Sequence, residues 1–329
     1  MRRPAAVRTS LAVVAGLSLL LTACGPAANV PNSASASSSS DGKIDVVAST
    51  NVYGEIARAV GGDKVNVAAI ISKSGQDPHS YEATAQDRLM VSKAQVVIEN
   101  GGGYDDFILK MADDSNIPHS NIVNAVDVSG LAAAADSGST ATATSSADGH
   151  GPGGVNEHVW YSMDAMRRMA DALAARFGEV EPASAPAFSA NAATFKAGLD
   201  GLAAKLTALK ASWAGSPVAV TEPVPLYLLE AAGLENKTPE EYSAAVEEGT
   251  DVPPAVLKAA TDLAGSKDIR LLAYNTQTEG PQTEALKKAA EAAGVPVVGF
   301  SETLPEGKTY LQWMTDNVEN ISKALEKNS

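Results

Sequence analysis

Cysteine is almost absent from this 329-residue chain: Cys24 is the only one. A single thiol excludes an intramolecular disulfide and any multi-thiolate metal site, and it leaves no cysteine nucleophile in the region beyond residue 24. Basic clusters are missing as well. The chain carries 25 Lys and Arg against 39 Asp and Glu, a formal charge of −14, and nowhere interleaves basic with aromatic residues, so nucleic acid is excluded as a partner while cations are attracted. The chain also lacks a His-Glu-x-x-His sequence, which removes the usual signature of a zinc hydrolase. Histidine itself is scarce, with four in all: His79, His119, His150 and His158.

What is present begins with a leader. Arg2, Arg3 and Arg8 precede an apolar run from Leu11 to Leu21 that ends in Leu21-Thr22-Ala23-Cys24. Residues 1–23 therefore read as a secretory signal peptide, with an apolar run too short for a comfortable membrane span. The small-residue motif ending in cysteine resembles the lipobox of bacterial lipoproteins, which makes Cys24 the expected lipid attachment point on the outer side of a cell membrane. Losing the three arginines takes the formal charge from −14 to −17. Residues 24–42 are mostly Ser, Ala, Pro and Asn, too poor in apolar surface to repay ordering, and read as a disordered tether. About 290 residues remain, enough for two α/β lobes.

The remainder alternates. Ile44–Ser49 is a strand, Val52–Val60 a helix stopped by Gly61-Gly62, Val65–Ile71 a strand, Thr84–Ser92 a helix and Val96–Ile98 a strand followed by Gly101-Gly102-Gly103. Residues 132–154 are low-complexity Ala, Ser, Thr and Gly and read as a mobile loop containing His150. Ser162 is an expected N-cap for a helix over Met163–Phe177. From Ala185 to Trp213, Phe188, Phe195, Leu199, Leu202, Leu206 and Leu209 recur at helical spacing, a helix of about 42 Å that can cross between lobes. Strands at Pro217–Thr221, Ile269–Tyr274 and Val295–Gly299 then alternate with helices at Pro225–Ala232, Pro253–Ala264, Thr283–Ala293 and Tyr310–Leu325. The expected fold is α/β: two lobes, 43–184 and 214–329, each with a mainly parallel sheet flanked by helices, joined by one long rigid helix over 185–213. In such sheets ligands bind where loops leave the carboxyl ends of strands.

Four potential ligands fall at such places, two in each half: His79, His158, Glu222 and Glu302. Taken alone, Asp77-Pro78-His79 is also an ordinary turn and each glutamate an ordinary surface charge; their matching positions in the two halves turn the reading toward metal. Two imidazoles and two carboxylates suit Zn2+ or Mn2+ better than calcium, which prefers all-oxygen ligation. Asp77, Glu82 and Glu157 are candidates for orienting the imidazole rings from behind.

The segments Gly75-Gln76-Asp77-Pro78-His79-Ser80-Tyr81-Glu82, Glu99-Asn100-Gly101-Gly102-Gly103-Tyr104-Asp105, Glu157-His158-Val159-Trp160 and Tyr310-Leu311-Gln312-Trp313-Met314 resemble the zinc/manganese family of solute-binding lipoproteins that serve ABC importers. The resemblance runs from Ile44 to the C-terminus. It implies that His79 and His158 are metal ligands, that Glu222 stands where zinc members often have histidine and manganese members glutamate, and that Glu302 replaces the usual aspartate. Asn275 occupies a position where many members have glutamate, with Glu279 nearby, and His150 is at most an accessory ligand in a loop that is histidine-rich in many zinc members. The family implies a monomeric binding protein, not an enzyme, whose cargo is zinc, manganese or iron and whose partners are an ABC permease and its cytoplasmic ATPase. The competing readings are an envelope-anchored zinc hydrolase and a metal-binding adhesin or structural lipoprotein. Neutral imidazole is the ligating form, so affinity is expected to fall as pH drops through the ordinary histidine range, near ~6.5.

Overall fold

The computed structural model describes residues 42–73, 76, 78–131 and 155–327. The leader, nearly all of the tether, Cys24, Asp77 and the 132–154 segment with His150 lie outside the described residues.

The first lobe runs β1 (Ile44–Thr50), α1 (Asn51–Gly61), β2 (Val65–Ile71), α2 (Ala85–Val91), β3 (Val96–Glu99), α3 (Asp106–Asp114), β4 (Ile122–Asn124) and α4 (Ala125–Ser129), and after residue 154 it resumes with α5 (Met163–Val180). Its strands pair in parallel in the order β2-β1-β3-β4. The second lobe contains β5 (Pro217–Val220), α7 (Leu226–Ala231), β6 (Glu235–Asn236), α8 (Glu240–Glu247), α9 (Pro254–Ala264), β7 (Leu272–Asn275), α10 (Pro281–Ala293), β8 (Val297–Phe300) and α11 (Tyr310–Lys327). Its order, β6-β5-β7-β8, repeats that of the first lobe, again all parallel. In each sheet the order reverses beside the first strand, and the crevice at that reversal is where an open α/β sheet receives a ligand.

Between the lobes lies α6 (Ala185–Trp213), 29 residues and about 44 Å long at 1.5 Å per residue. The expected boundaries hold, and so does the stripe: Phe188, Ala192, Phe195, Leu199, Leu202 and Leu206 are buried, with Leu209 partly so. These positions step by three and four residues and so lie on one face. That face packs on α1 and α5 of the first lobe and on α7 and α11 of the second. One hydrophobic cluster consequently runs from Val46, Ile56 and Trp160 through α6 to Val220, Leu228 and Trp313. Each lobe has a further cluster of its own, around Val97 and Met111 in one and around Leu272 and Leu286 in the other.

The lobes are also tied by hydrogen bonds. Asn51 Nδ2 donates to the Leu304 carbonyl (2.8 Å) and its Oδ1 accepts from the Leu304 amide (2.9 Å). Tyr161 Oη donates to Ser301 O (2.8 Å), and Tyr310 Oη to Trp160 O (2.6 Å). A shared core and paired polar contacts of this kind oppose wide hinge opening, since the groups exposed would lose both burial and partners.

Three short elements, α3, β4 and α4, and two more, β6 and α8, were not expected from the sequence. All are at most nine residues long, too short for periodicity to separate from loop. Among the expected elements, Thr84 caps α2 through a reciprocal Thr84–Asp87 box, and Ser162 caps α5 by accepting from the Ala165 amide.

Candidate metal centre

His79 follows β2 in a turn in which the Tyr81 amide approaches the Pro78 carbonyl, and its side chain is 24% exposed. Its ring meets Tyr104 edge-on, with centroids 5.0 Å apart. His158 precedes a single 3-10 turn (Val159–Tyr161) and is 1% exposed, enclosed by the rings of Tyr104 and Trp160. The second lobe delivers Glu222 just past β5 and Glu302 just past β8, both buried. Asn275 closes β7 between them, and its amide donates to Glu222 Oε2 and to Glu302 Oε1 (2.8 Å). From the opposite lobe, Tyr104 Oη donates to Glu302 Oε2 (3.1 Å). A chain of contacts therefore links the four residues singled out by the sequence: Tyr104 meets the rings of His79 and His158 and donates to Glu302, and Asn275 bridges Glu302 to Glu222.

The Glu99–Asp105 segment builds the first-lobe wall. Gly101, Gly102 and Gly103 all have positive φ (79°, 68°, 91°), a conformation that only glycine adopts freely, and a Cβ at Gly101 would collide with the Asn124 amide. Asp105 caps the turn by accepting from the amides of Asn100 (2.7 Å) and Gly101 (2.9 Å). Asn100 in turn donates to the Glu157 carbonyl (3.0 Å) and accepts from Tyr53 Oη. The motif sets Tyr104 on the site and fixes the backbone that carries His158.

Asn156 orients His158. Its Oδ1 accepts from the His158 amide (3.1 Å) and faces His158 Nδ1 (2.7 Å), while its Nδ2 donates to the Pro223 carbonyl (3.0 Å). Because Oδ1 only accepts, Nδ1 carries the proton and Nε2 keeps the lone pair available for a metal. The same side chain joins His158 to the residue after Glu222 in the other lobe. The sequence reading missed this role; an asparagine two residues before a candidate ligand carries no distinctive signal.

Of the proposed ring-orienting acids, Glu157 is buried with Oε1 3.7 Å from His79 Nε2, whereas Glu82 is exposed and Asp77 is outside the described residues. His119 pairs with Asp113 on the surface (3.2 Å). Glu279 accepts from Tyr274 Oη at 3.5 Å. An unanticipated group joins the cluster: Glu247, the last residue of α8, has Oε1 3.6 Å from His158 Nδ1. One ligand atom each from Glu157, His158 and Glu247 lies within 4.8 Å of the others. Burial first, and then the charges of Glu157, Glu222 and Glu302, push the Glu247 carboxyl up to about 9, so the metal-free site holds a proton there at neutral pH.

The family model for the zinc-uptake complex component A, periplasmic (ZnuA), matches residues 46–324. A manganese ABC transporter substrate-binding lipoprotein of Streptococcus gordonii is 25% identical, the alignment covering 94% of this chain and 98% of the relative. A manganese-binding lipoprotein of Bacillus subtilis is 27% identical over 56% of this chain and 54% of its own length. Among solved structures, the periplasmic zinc-binding protein TroA of Treponema pallidum shares the fold with a TM-score of 0.68 at 19% identity, covering 86% of this chain and 99% of that one. The binding protein FpvC of Pseudomonas aeruginosa, solved with Mn2+, does so with a TM-score of 0.67 at 22% identity, covering 87% of this chain and all of its own. With its two parallel sheets, its long connecting helix and a family match that spans nearly all of both lobes, the chain belongs to the ZnuA family of periplasmic metal-uptake components.

Proposed function

We propose that this protein captures a divalent transition metal, Zn2+ or Mn2+, between its lobes and hands it to an ABC importer, with His79, His158, Glu222 and Glu302 as ligands. The observation that supports the reading is the run of contacts across the lobes, in which Tyr104 meets both imidazole rings and donates to Glu302 while Asn275 draws Glu302 and Glu222 together. Two carboxylates balance a divalent charge, and prepositioned donors replace the water the ion must shed. His79 stands at the rim and His158 at the buried end, so an incoming ion meets His79 first.

Delivery requires a permease and its ATPase, and Cys24, if acylated, would hold the protein at the membrane that contains them. No helix among the described residues is long and apolar enough to cross a membrane. The relatives' names divide between manganese, iron and unspecified metal; carboxylate ligands favour the harder Mn2+, while the Irving–Williams order makes Zn2+ the tighter binder at almost any such site. The test is His79→Ala: the purified variant should lose most of its affinity for both metals while melting as the metal-free wild type does, and undiminished metal uptake would overturn the ligand assignment. Elemental analysis of protein from its native membrane identifies the cargo.

A further inference from the structure

Resting on the ligand set just proposed, we infer that Asn275 is a specificity-determining residue. By donating to one oxygen of Glu222 and one of Glu302, it holds each glutamate to single-oxygen ligation, and so raises the preference of the site for four-coordinate Zn2+ over Mn2+.

The hydrogen bonds fix which end of the Asn275 amide meets the glutamates. Asn275 closes β7 and is buried. Its Oδ1 accepts from the Gln277 amide (3.0 Å), and a backbone N–H can only donate, so Nδ2 is the end turned to Glu222 Oε2 and to Glu302 Oε1 (2.8 Å). Thr278 Oγ1 lies at 3.0 Å as well, but Nδ2 carries two hydrogens and ionised carboxylates are the stronger acceptors. Both hydrogens therefore go to the two glutamates.

Glu302 is held independently from its other sides. Gln277 Oε1 accepts from the amides of Glu302 (2.6 Å) and Thr303 (2.9 Å), which pins the backbone that carries the carboxylate. Tyr104 Oη donates to Oε2 (3.1 Å), so both oxygens of Glu302 are engaged. An oxygen that accepts one hydrogen bond keeps a second lone pair, and a metal can bind through it without disturbing the network. Chelation by both oxygens of either glutamate would turn the carboxylate away from Asn275 and leave a buried donor unsatisfied.

Two imidazoles and two single carboxylate oxygens make four donors, the closed tetrahedral set that suits Zn2+. Mn2+ favours octahedral, oxygen-rich surroundings, and two chelating glutamates would supply them. The experiment compares Asn275→Ala and the equally sized Asn275→Asp with wild type, by competition titration of Zn2+ and Mn2+ and by the visible spectrum of bound Co2+, which is intense in four-coordinate sites and weakens as coordination number rises. Wild type should show the intense spectrum. Both variants should lower the ratio of Zn2+ to Mn2+ affinity by about tenfold or more and weaken the Co2+ bands. A merely structural role would lower both affinities equally, and that result, unchanged affinities, or a weak Co2+ spectrum in wild type would overturn the proposal. Melting of the metal-free variants reports their folding, and if Asn275→Ala does not fold the isosteric Asn275→Asp decides. His79→Ala, run in parallel, separates the two readings: if it retains affinity, the cargo site itself is misassigned, whereas if it loses affinity while the Asn275 variants keep the wild-type ratio, only the role of Asn275 fails.

Discussion

Replacing Asn156 with alanine tests how the buried histidine is made ready for metal. The substitution removes three hydrogen bonds: two onto Oδ1 from the amide and ring of His158, and one from Nδ2 to the Pro223 carbonyl across the lobe boundary. At about 1 kcal/mol each, metal-free Asn156→Ala should lose about 3 kcal/mol of stability. Loss of the partner that fixes the Nδ1–H tautomer should weaken metal binding a further 10- to 100-fold, as removal of such orienting groups typically does, or about 1.4–2.8 kcal/mol. Asn156→Asp is the informative companion. It keeps the acceptor for Nδ1–H and loses only the donation to Pro223, so its affinity should stay within about threefold of wild type although its metal-free stability falls. The assay is competition titration against a chromophoric chelator, paired with thermal melts of metal-free protein. If Asn156→Ala melts earlier yet binds metal as wild type does, Asn156 merely joins the lobes and the argument about the tautomer is wrong.

Other outcomes follow from the same structure. Burial pushes the Glu99 carboxyl up to about 7, with the charge of Asp105 adding to it and the bond from Asn124 opposing; the folded protein therefore keeps a proton there that the unfolded chain has released, and stability should fall as pH rises from the ordinary carboxyl range through 7. Glu99→Gln should accordingly stabilise metal-free protein by about 1–2 kcal/mol at pH 8 and by nearly nothing at pH 4, because each pKa unit is worth about 1.4 kcal/mol before solvent screening; equal shifts in Tm at both pH values would refute this. Phe195→Ala, which strips a buried ring packed 5.7 Å from Tyr310, should cost about 3–5 kcal/mol, measurable by urea unfolding. Because one cluster spans both lobes, circular dichroism and tryptophan fluorescence should report a single coincident transition, and two separated transitions would show that the lobes fold apart. Saturating metal at 100 times Kd should raise stability by about 2.7 kcal/mol, seen as a higher Tm that His79→Ala abolishes.

The sequence by itself carried the architecture wherever an element was long or strongly patterned. The 29-residue helix was legible because a buried stripe from Phe188 to Leu206, about five turns, leaves no alternative phase, and the strand–helix alternation implied parallel sheets because parallel strands need crossover connections. It also put forward His79, His158, Glu222 and Glu302 as candidate ligands, since each stands near the start or end of an element in a chain with few histidines. Short elements escaped it, α8 among them, and with α8 went Glu247, which in a run of glutamates looks like any solvated charge. The partnerships escaped as well. That Asn156 holds a ring nitrogen, that Asn275 joins two carboxylates and that Tyr104 reaches Glu302 across 198 positions are facts of packing between separate lobes, where hydrogen-bond partners are chosen by distance in space and local pattern has no hold on them.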